Sequence, residues 1–279
     1  MASLTFGLVA AFAWGLHDLC VRQVSQKTGI FASLVAVLTT GLLLAVPVGL
    51  WSAEAPGRAD AYTLAIVSGV LFGLAGIAHY KAFSIGPVRL VAPIIGAYPI
   101  LSVAWAATTG GGIAVWDWLA VFVVIAGVGY VAASADDGTD GASRGQAVGW
   151  SVAAGTLFAA TFAIGQAASS EGGELALQAP TRLAALAVVV AVGLALRVRM
   201  IPGRAMVPLL ALMGTLDAIA LASVTGAGAF ENPEYAAVAA STFGLVTVVL
   251  AALFLRERLK PLHWGAVVVV FGAIASLGL

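Results

Sequence analysis

Apolar residues are arranged along this chain in long runs that short polar breaks separate. A helix needs about 20 mostly apolar residues to cross a bilayer. Ten runs reach about that length, and no break between them has room for a soluble domain. The pattern therefore predicts ten membrane-spanning helices, at about residues 4–22, 30–51, 62–84, 88–109, 115–134, 147–168, 175–196, 205–225, 235–255 and 261–278.

Composition supports the same class of protein. The 279 residues are 61% hydrophobic and only 9% charged, whereas soluble domains carry roughly 25% charged residues. A net charge of zero gives no indication of nucleic acid binding. The single cysteine, Cys20, excludes an intramolecular disulfide and matches no metal spacing, so we expect neither metal nor cofactor. The N-terminus lacks the basic segment of a cleavable signal, so the first run is expected to be a permanent span.

The two halves of the chain show a weak, ordered similarity. The longest polar break, residues 135–146, leaves five predicted spans on each side, so the second half starts from the opposite membrane face. This predicts inverted five-helix repeats, residues 1–134 and 147–279, around a midplane cavity, as in many secondary transporters. Chance likeness between apolar helices is the alternative. The alignment pairs Trp14-Gly15 with Phe158-Ala159, Thr28-Gly29 with Gly172-Gly173, the stretch from Arg89 with that from Glu234, and that from Trp116 with that from Pro261.

Basic residues predict the orientation of the spans. Of the thirteen Lys and Arg residues, all but Arg58 and Arg182 fall in or near odd-numbered connections. The positive-inside rule then places those connections in the cytoplasm and both termini outside. Because the repeat already supplies both halves, we expect a monomer.

The C-terminal stretch STFGLVTVVLAALFLRERLKPLHWGAVVVVFGAIASLGL resembles the last two helices of the EamA branch of the drug/metabolite transporter superfamily. The Arg256–Leu259 turn and the Trp264-Gly265 pair carry this resemblance. AWGLHD resembles the family's first helix, and AHYKAFSIGPVRLVAPIIGAYPILSV its third and fourth. The resemblance covers essentially the whole chain.

The resemblance implies a multi-pass protein of a prokaryotic plasma (inner) membrane. It also implies ten helices and export of amino acids, including aromatic ones, and other small metabolites through a cavity lined by helices 1, 3, 4, 6, 8 and 9. Two features depart from the family. Gly110–Gly112 stands where the second half has Arg256–Arg258, and many members are thought to keep both termini in the cytoplasm.

Ionisable residues inside predicted spans are candidates for function because each costs about 2.5–3.5 kcal/mol to insert. Neighbouring helical residues point about 100° apart, so His17 and Asp18 are not expected to share one narrow cavity. Asp18 favours an i,i+4 salt bridge with Arg22 near the helix end, which makes His17 the stronger site candidate. His79 is expected at a similar depth, with Tyr80 pointing elsewhere. For both histidines, a neutral ring bonded to a neighbouring helix is the alternative.

Other candidates lie on the fourth and eighth spans. Pro93 and Pro99 around Tyr98 predict an interrupted helix, a feature of transporter binding sites, although kinked packing is the alternative. Asp217 lies near mid-bilayer with no basic residue within one turn, which suits a proton carrier, a ligand for a substrate amine, or a protonated acid bonded across helices. Further candidates for cavity contacts are Trp14, Trp105, Thr161, Ser241 and Thr242; the hydroxyl residues can equally join helices, as can Gly69-x-x-x-Gly73 and Gly145-x-x-x-Gly149.

Two functions follow from these candidates. The first is a secondary transporter that exports small amphipathic metabolites, above all amino acids, by alternating access, with proton coupling left open. The alternative is an exporter of organic cations or guanidinium compounds, with Asp217 and aromatic rings as the cation site. No catalytic motif is present, and two histidines are too few for a catalytic metal, so we do not expect an enzyme.

Overall fold

The computed structural model describes residues 2–52, 54–101, 115–134, 141–231, 233–255 and 261–276, and these contain helices and connections without any strand. Short 3₁₀ turns flank the eighth helix, and a π-helical turn, Ala251–Leu255, follows the tenth. The helices are α1 Ala2–Thr28, α2 Ile30–Ser52, α3 Ala61–Ile85, α4 Val88–Gly96, α5 Val115–Ser134, α6 Gly141–Ala168, α7 Glu174–Ala195, α8 Val207–Gly226, α9 Glu234–Ser241, α10 Phe243–Leu250 and α11 Pro261–Ser276.

Seven segments are long and apolar enough to cross a membrane, which is compatible with a multi-pass membrane protein. They are Ala2–Thr28, Ile30–Ser52, Ala61–Ile85, Ser143–Ala168, Glu174–Ala195, Arg204–Ala229 and Tyr235–Phe254. The other three predicted spans contain shorter apolar helices, Leu90–Leu101, Trp118–Gly127 and Trp264–Ala273. The all-helical class predicted from the sequence is therefore confirmed, whereas ten spans stay a prediction.

Left-handed glycines allow the sharp turns between long antiparallel helices. Gly29, between α1 and α2, has φ +88°. Between α6 and α7, Gly172 and Gly173 have φ values of +88° and +72°. A side chain is strained in this conformation, so glycine is the usual residue just after a helix. These are the positions at which the sequence alignment pairs Thr28-Gly29 with Gly172-Gly173.

Helices of the two halves pack against each other in matched pairs. α1 packs along α8, and α6 packs along α3. The contact of α2 with α8 is likewise matched by that of α7 with α3. The contacts of α1 with α9 and α10 are matched by that of α6 with α4. Equivalent helices of the two halves also contact each other: α2 with α7, α4 with α10, and α5 with α11. Exchanging corresponding helices of the two halves therefore leaves this pattern of contacts unchanged.

Glycines on α3 bring that helix close to α7. A Cβ atom built on Gly73 would lie 2.7 Å from the carbonyl oxygen of Ala185, and one on Gly69 would overlap the carbonyl oxygen of Thr181. The spacing Gly69-x-x-x-Gly73 thus forms the close packing that it predicts. The second pair differs, because no described atom lies within 4 Å of a Cβ built on Gly145 or Gly149.

Two helices are interrupted next to each other inside the bundle. α4 ends at Gly96, and the chain turns at Ala97 and Tyr98 before resuming helical structure. The second interruption, at Thr242, separates α9 from α10. A Cβ on Gly96 would lie 2.9 Å from the carbonyl oxygen of Ser241, so the two interruptions are in contact. This is the interrupted helix that the prolines around Tyr98 predict.

Candidate functional site

A buried cavity lies where the two halves meet. The space that water molecules can occupy measures about 40 Å³, enough for about three of them. Helices α1, α2, α3, α6, α8 and α10, together with the turn after α4, provide its walls. Its lining residues are Trp14, His17, Asp18, Leu34, Val37, Leu38, Phe72, Gly76, His79, Tyr80, Tyr98, Phe158, Phe162, Asp217 and Phe243.

Aromatic rings form one side of the cavity. Phe158 and Phe162 of α6 stack with ring centroids 5.8 Å apart, and the Trp14 ring stacks on Phe162 at 5.3 Å. Tyr98 meets Phe162 edge-on at 5.3 Å, and its hydroxyl donates a 2.5 Å hydrogen bond to the carbonyl oxygen of Ala237. These rings offer an apolar surface on which a planar or aliphatic group can pack.

A polar cluster of α1 and α3 forms another part of the wall. Asp18 Oδ1 lies 2.8 Å from His17 Nδ1 and 3.1 Å from His79 Nε2. His17 Nε2 is 3.1 Å from the Tyr80 hydroxyl. All four side chains are buried, and Asp18 is only 1% exposed. We call these residues the acid–histidine cluster.

The chemistry of a carboxylate sets the direction of these hydrogen bonds. An ionised Asp18 only accepts, so both imidazoles donate to Oδ1. His17 then carries its proton on Nδ1 and accepts from Tyr80, while His79 carries its proton on Nε2. Two buried acceptor atoms, Asp18 Oδ2 and His79 Nδ1, lack a hydrogen-bond partner among the described residues.

A buried ion pair lies on the α7 and α8 side. The Arg182 guanidinium donates to Asp217 Oδ2 at 2.7 Å and to the Asp217 carbonyl oxygen at 2.8 Å. Trp14 Nε1 donates to Asp217 Oδ1 at 3.2 Å, which joins α1 to this pair. Arg182 is 1% exposed, and its guanidinium carbon lies 5.8 Å from the Phe72 ring centroid. Gly41 leaves room for the guanidinium, because a Cβ atom on Gly41 would lie 2.5 Å from Arg182 Nη1.

The structure corrects the sequence prediction for Asp18. Its carboxylate lines the cavity beside His17 and bonds two histidines, whereas the sequence left the cavity to His17; the side chain of Arg22, the predicted partner, lies outside the described part of the chain. His17 and Asp18 follow Trp14 by three and four residues. Residues at i+3 and i+4 lie on the same helix face as residue i, so both side chains share the face of Trp14. A cavity wide enough to span that face contacts both neighbours.

Tyr80 was also predicted wrongly. Instead of pointing away from the site, it lines the cavity and bonds His17. Phe72, Gly76, His79 and Tyr80 follow the i, i+4, i+7, i+8 spacing of one helix face. That spacing was the signal that could have placed Tyr80 in the site.

Asp217 lines the cavity as predicted but is not an isolated charge. Its partner, Arg182, lies on a different helix, so a search within one turn of α8 misses it. Arg182 itself is buried inside the bundle, 1% exposed. A basic residue within a predicted span needs a buried acidic partner, and this requirement could have paired the two from sequence.

The remaining candidates divide into three groups. Trp14, His17, His79 and Tyr98 line the cavity with Asp217. Thr161 does not: it is buried and its hydroxyl donates to the Leu157 carbonyl oxygen. Ser241 and Thr242 also bond backbone oxygens of their own segment, those of Val238 and Ala239. Trp105 lies outside the described residues.

The acid–histidine cluster also supplies a donor set for a metal ion. Single ligand atoms of His17, Asp18 and His79 lie within 4.8 Å of one another, and such a set suits Zn²⁺ or a related divalent ion. Asp18 completes a set that the two histidines alone leave too small. In this structure, hydrogen bonds already join His17, Asp18 and His79. If His79 bound a metal through Nε2, its proton would sit on Nδ1, where it would be a buried N–H donor without a partner among the described residues. The donor set therefore fits a metal less fully than it fits its own hydrogen bonds.

Comparison with known proteins identifies the fold alone. No family model matches the chain, and no curated protein matches it. One solved structure, described only as "Crystal structure of protein", superposes with a TM-score of 0.73 at 12% sequence identity, covering 100% of this chain and 98% of that one. Fold and site together define a helical protein, compatible with multiple membrane spans, that encloses an aromatic and polar cavity.

Proposed function

We propose that this protein is a secondary transporter of small amphipathic metabolites. The observation that carries the proposal is the central cavity, which combines stacked aromatic rings with two buried polar clusters. Binding cavities of this kind, mostly apolar with a few placed polar groups, are typical of small-molecule sites. Residues 2–101 and 141–255 both contribute to its walls.

The proposed mechanism is alternating access. The paired packing of the two halves, the left-handed glycines in equivalent turns and the interruptions near Tyr98 and Thr242 all support two inverted five-helix repeats. In such transporters, rocking of the halves exposes a fixed site to each side in turn. Space for about three waters is too small for an amino acid, so this arrangement corresponds to a closed cavity that must widen to admit substrate.

Amino acids with apolar or aromatic side chains remain the first substrate group of the proposal. Their side chains would pack on Trp14, Phe158 and Phe162, and their amino groups would face the acid–histidine cluster. The resemblance of the first, third, fourth and last two predicted helices to those of EamA-type exporters supports the same group. Exchange against protons belongs to the proposal as well, because histidine changes charge near neutral pH and two histidines contact Asp18.

Export of organic cations is the second candidate, and one observation favours it. Arg182 neutralises Asp217, which removes the acid that the sequence suggests as a cation site. Asp18 replaces it: its carboxylate lines the same cavity as Trp14 and Tyr80, and its Oδ2 has no hydrogen-bond partner among the described residues. A carboxylate close to aromatic faces is a suitable site for a cation.

Counterflow in proteoliposomes tests the proposed function. Vesicles loaded with unlabelled phenylalanine are expected to accumulate labelled phenylalanine, tryptophan or methionine above protein-free vesicles, with an organic cation pair run in parallel. His17→Ala is expected to slow this exchange about tenfold, since it removes a hydrogen bond to Asp18.

Asp60→Asn is the matched control. Asp60 lies on an exposed connection away from the cavity and pairs with Arg58 at 2.7 Å. The Asp60→Asn variant should therefore exchange substrate at the rate of the native protein. Absence of exchange for every amino acid and cation, with protein that runs as a single folded species, would contradict the transporter proposal.

A further inference from the structure

The described lining of the cavity contains two acids, of which an arginine balances one. Asp217 and Arg182 cancel each other through two hydrogen bonds. The ionised Asp18 has no lysine or arginine partner among the described residues of the lining. A net charge buried in an apolar bundle is costly, so the cavity favours an occupant that carries one positive charge.

The unfilled hydrogen-bonding positions are both acceptors. Asp18 Oδ2 and His79 Nδ1 are buried without a partner, and the tautomer that donates to Asp18 leaves a lone pair on His79 Nδ1. Buried acceptors of this kind are normally satisfied. The occupant that completes them must bring N–H or O–H donors.

A carboxylate finds no matching group in this cavity. Arg182 directs one N–H of Nη1 and one of Nη2 to Asp217 and is buried beside it. The described lining of the cavity contains no arginine and no lysine. An acidic group near Asp18 would face repulsion without compensation.

We infer that the acid–histidine cluster is a binding site for the primary ammonium group of an amine with an apolar or aromatic body. The ammonium donates to Asp18 Oδ2, and its charge balances Asp18. The inference rests on the proposed function, since the amine is the transported molecule, and it deepens that function by naming the substrate class. Its consequence is that amines bind better than amino acids.

Shape supports the same assignment. The present space of about 40 Å³ admits an ammonium group but not the body attached to it. The Phe158 ring meets His79 edge-on at a centroid distance of 5.7 Å, so the aromatic wall begins next to the cluster. Movement of the stacked α6 rings would open room for an apolar body directly beside the ammonium.

Equilibrium binding to the purified full chain tests the inference without requiring transport. Calorimetry is run with phenethylamine, phenylalanine methyl ester, phenylalanine, 3-phenylpropionate and trimethyl-phenethylammonium, which share one aromatic body. Phenethylamine and the ester are expected to bind at least about tenfold more tightly than phenylalanine, and 3-phenylpropionate not to bind. The trimethyl compound, which has charge but no N–H donor, should bind more weakly than phenethylamine.

Variants assign the binding to Asp18. Asp18→Asn is expected to weaken phenethylamine binding at least about tenfold, whereas Asp60→Asn, the same change on an exposed connection, should leave it unchanged. His79→Gln serves as a second variant, with an expected loss of similar direction. Should Asp18→Asn misfold, the ligand series on the native chain still decides the question.

The outcomes separate this inference from the proposed function. Tight binding of phenethylamine with no counterflow of any substrate supports the amine site and contradicts transport. If phenylalanine shows counterflow and 3-phenylpropionate binds as tightly as phenethylamine, the result supports transport. The same result overturns the amine site. The inference is also overturned if no amine binds, or if Zn²⁺ alone stabilises the protein while amines do not.

Discussion

Arg182→Gln is expected to lower the free energy of unfolding by about 3–5 kcal/mol, the loss found when one partner of a buried ion pair is removed. The guanidinium donates twice to Asp217, and both side chains are almost completely buried. Without it, Asp217 retains only Trp14 Nε1 as a donor and remains as an uncompensated charge inside the bundle. Because the charge that remains is buried between α7 and α8, this is the largest single-residue effect that we expect.

A double variant separates loss of charge balance from loss of packing. Arg182→Gln combined with Asp217→Asn leaves two neutral amides that can bond each other and still accept from Trp14. Replacing a buried pair by neutral groups of similar size is often tolerated. We therefore expect the double variant to recover most of the stability lost in Arg182→Gln.

Thermal unfolding in detergent, followed by size-exclusion fluorescence, measures these effects. The coupling between the two positions is the double-variant change minus the sum of the single changes. Equal melting temperatures for Arg182→Gln and the native chain would contradict the ion pair. A double variant as unstable as the sum of both single variants would show that the two side chains act independently.

Gly69→Ala is expected to lower the free energy of unfolding by about 1–3 kcal/mol, the usual cost of overpacking. The added methyl group overlaps the carbonyl oxygen of Thr181. Because that oxygen belongs to the backbone of α7, no change of side-chain rotamer relieves the overlap, and the two helices must separate. Gly73→Ala should act in the same direction through the Ala185 carbonyl oxygen.

Gly149→Ala is the matched control, since it adds the same methyl group to another helical glycine. No described atom lies within 4 Å of the added Cβ, and alanine favours helix over glycine by up to about 1 kcal/mol. The control is expected to be neutral or slightly stabilising in the same unfolding assay. A loss for Gly149→Ala as large as that for Gly69→Ala would mean that close α3–α7 packing is not the cause.

The sequence by itself determined the class of the protein and the positions of its helices. A chain with only 9% charged residues is predicted to lie in a bilayer, where the backbone must bond within helices. Run length and turn glycines therefore locate helices without knowledge of their neighbours. The same local reasoning found Trp14, His17, His79, Tyr98 and Asp217, because polar or aromatic groups in apolar helices are conspicuous.

Only the tertiary structure decided which of these groups interact. Asp18 was assigned to Arg22 on its own helix, whereas it bonds His79 on α3, and Asp217 was considered alone although Arg182 of α7 neutralises it. A linear pattern records spacing along one helix, but a buried charge selects its partner from all helices around it. The charge balance of the cavity, which the amine inference depends on, is therefore a property of helix packing and not of any single segment.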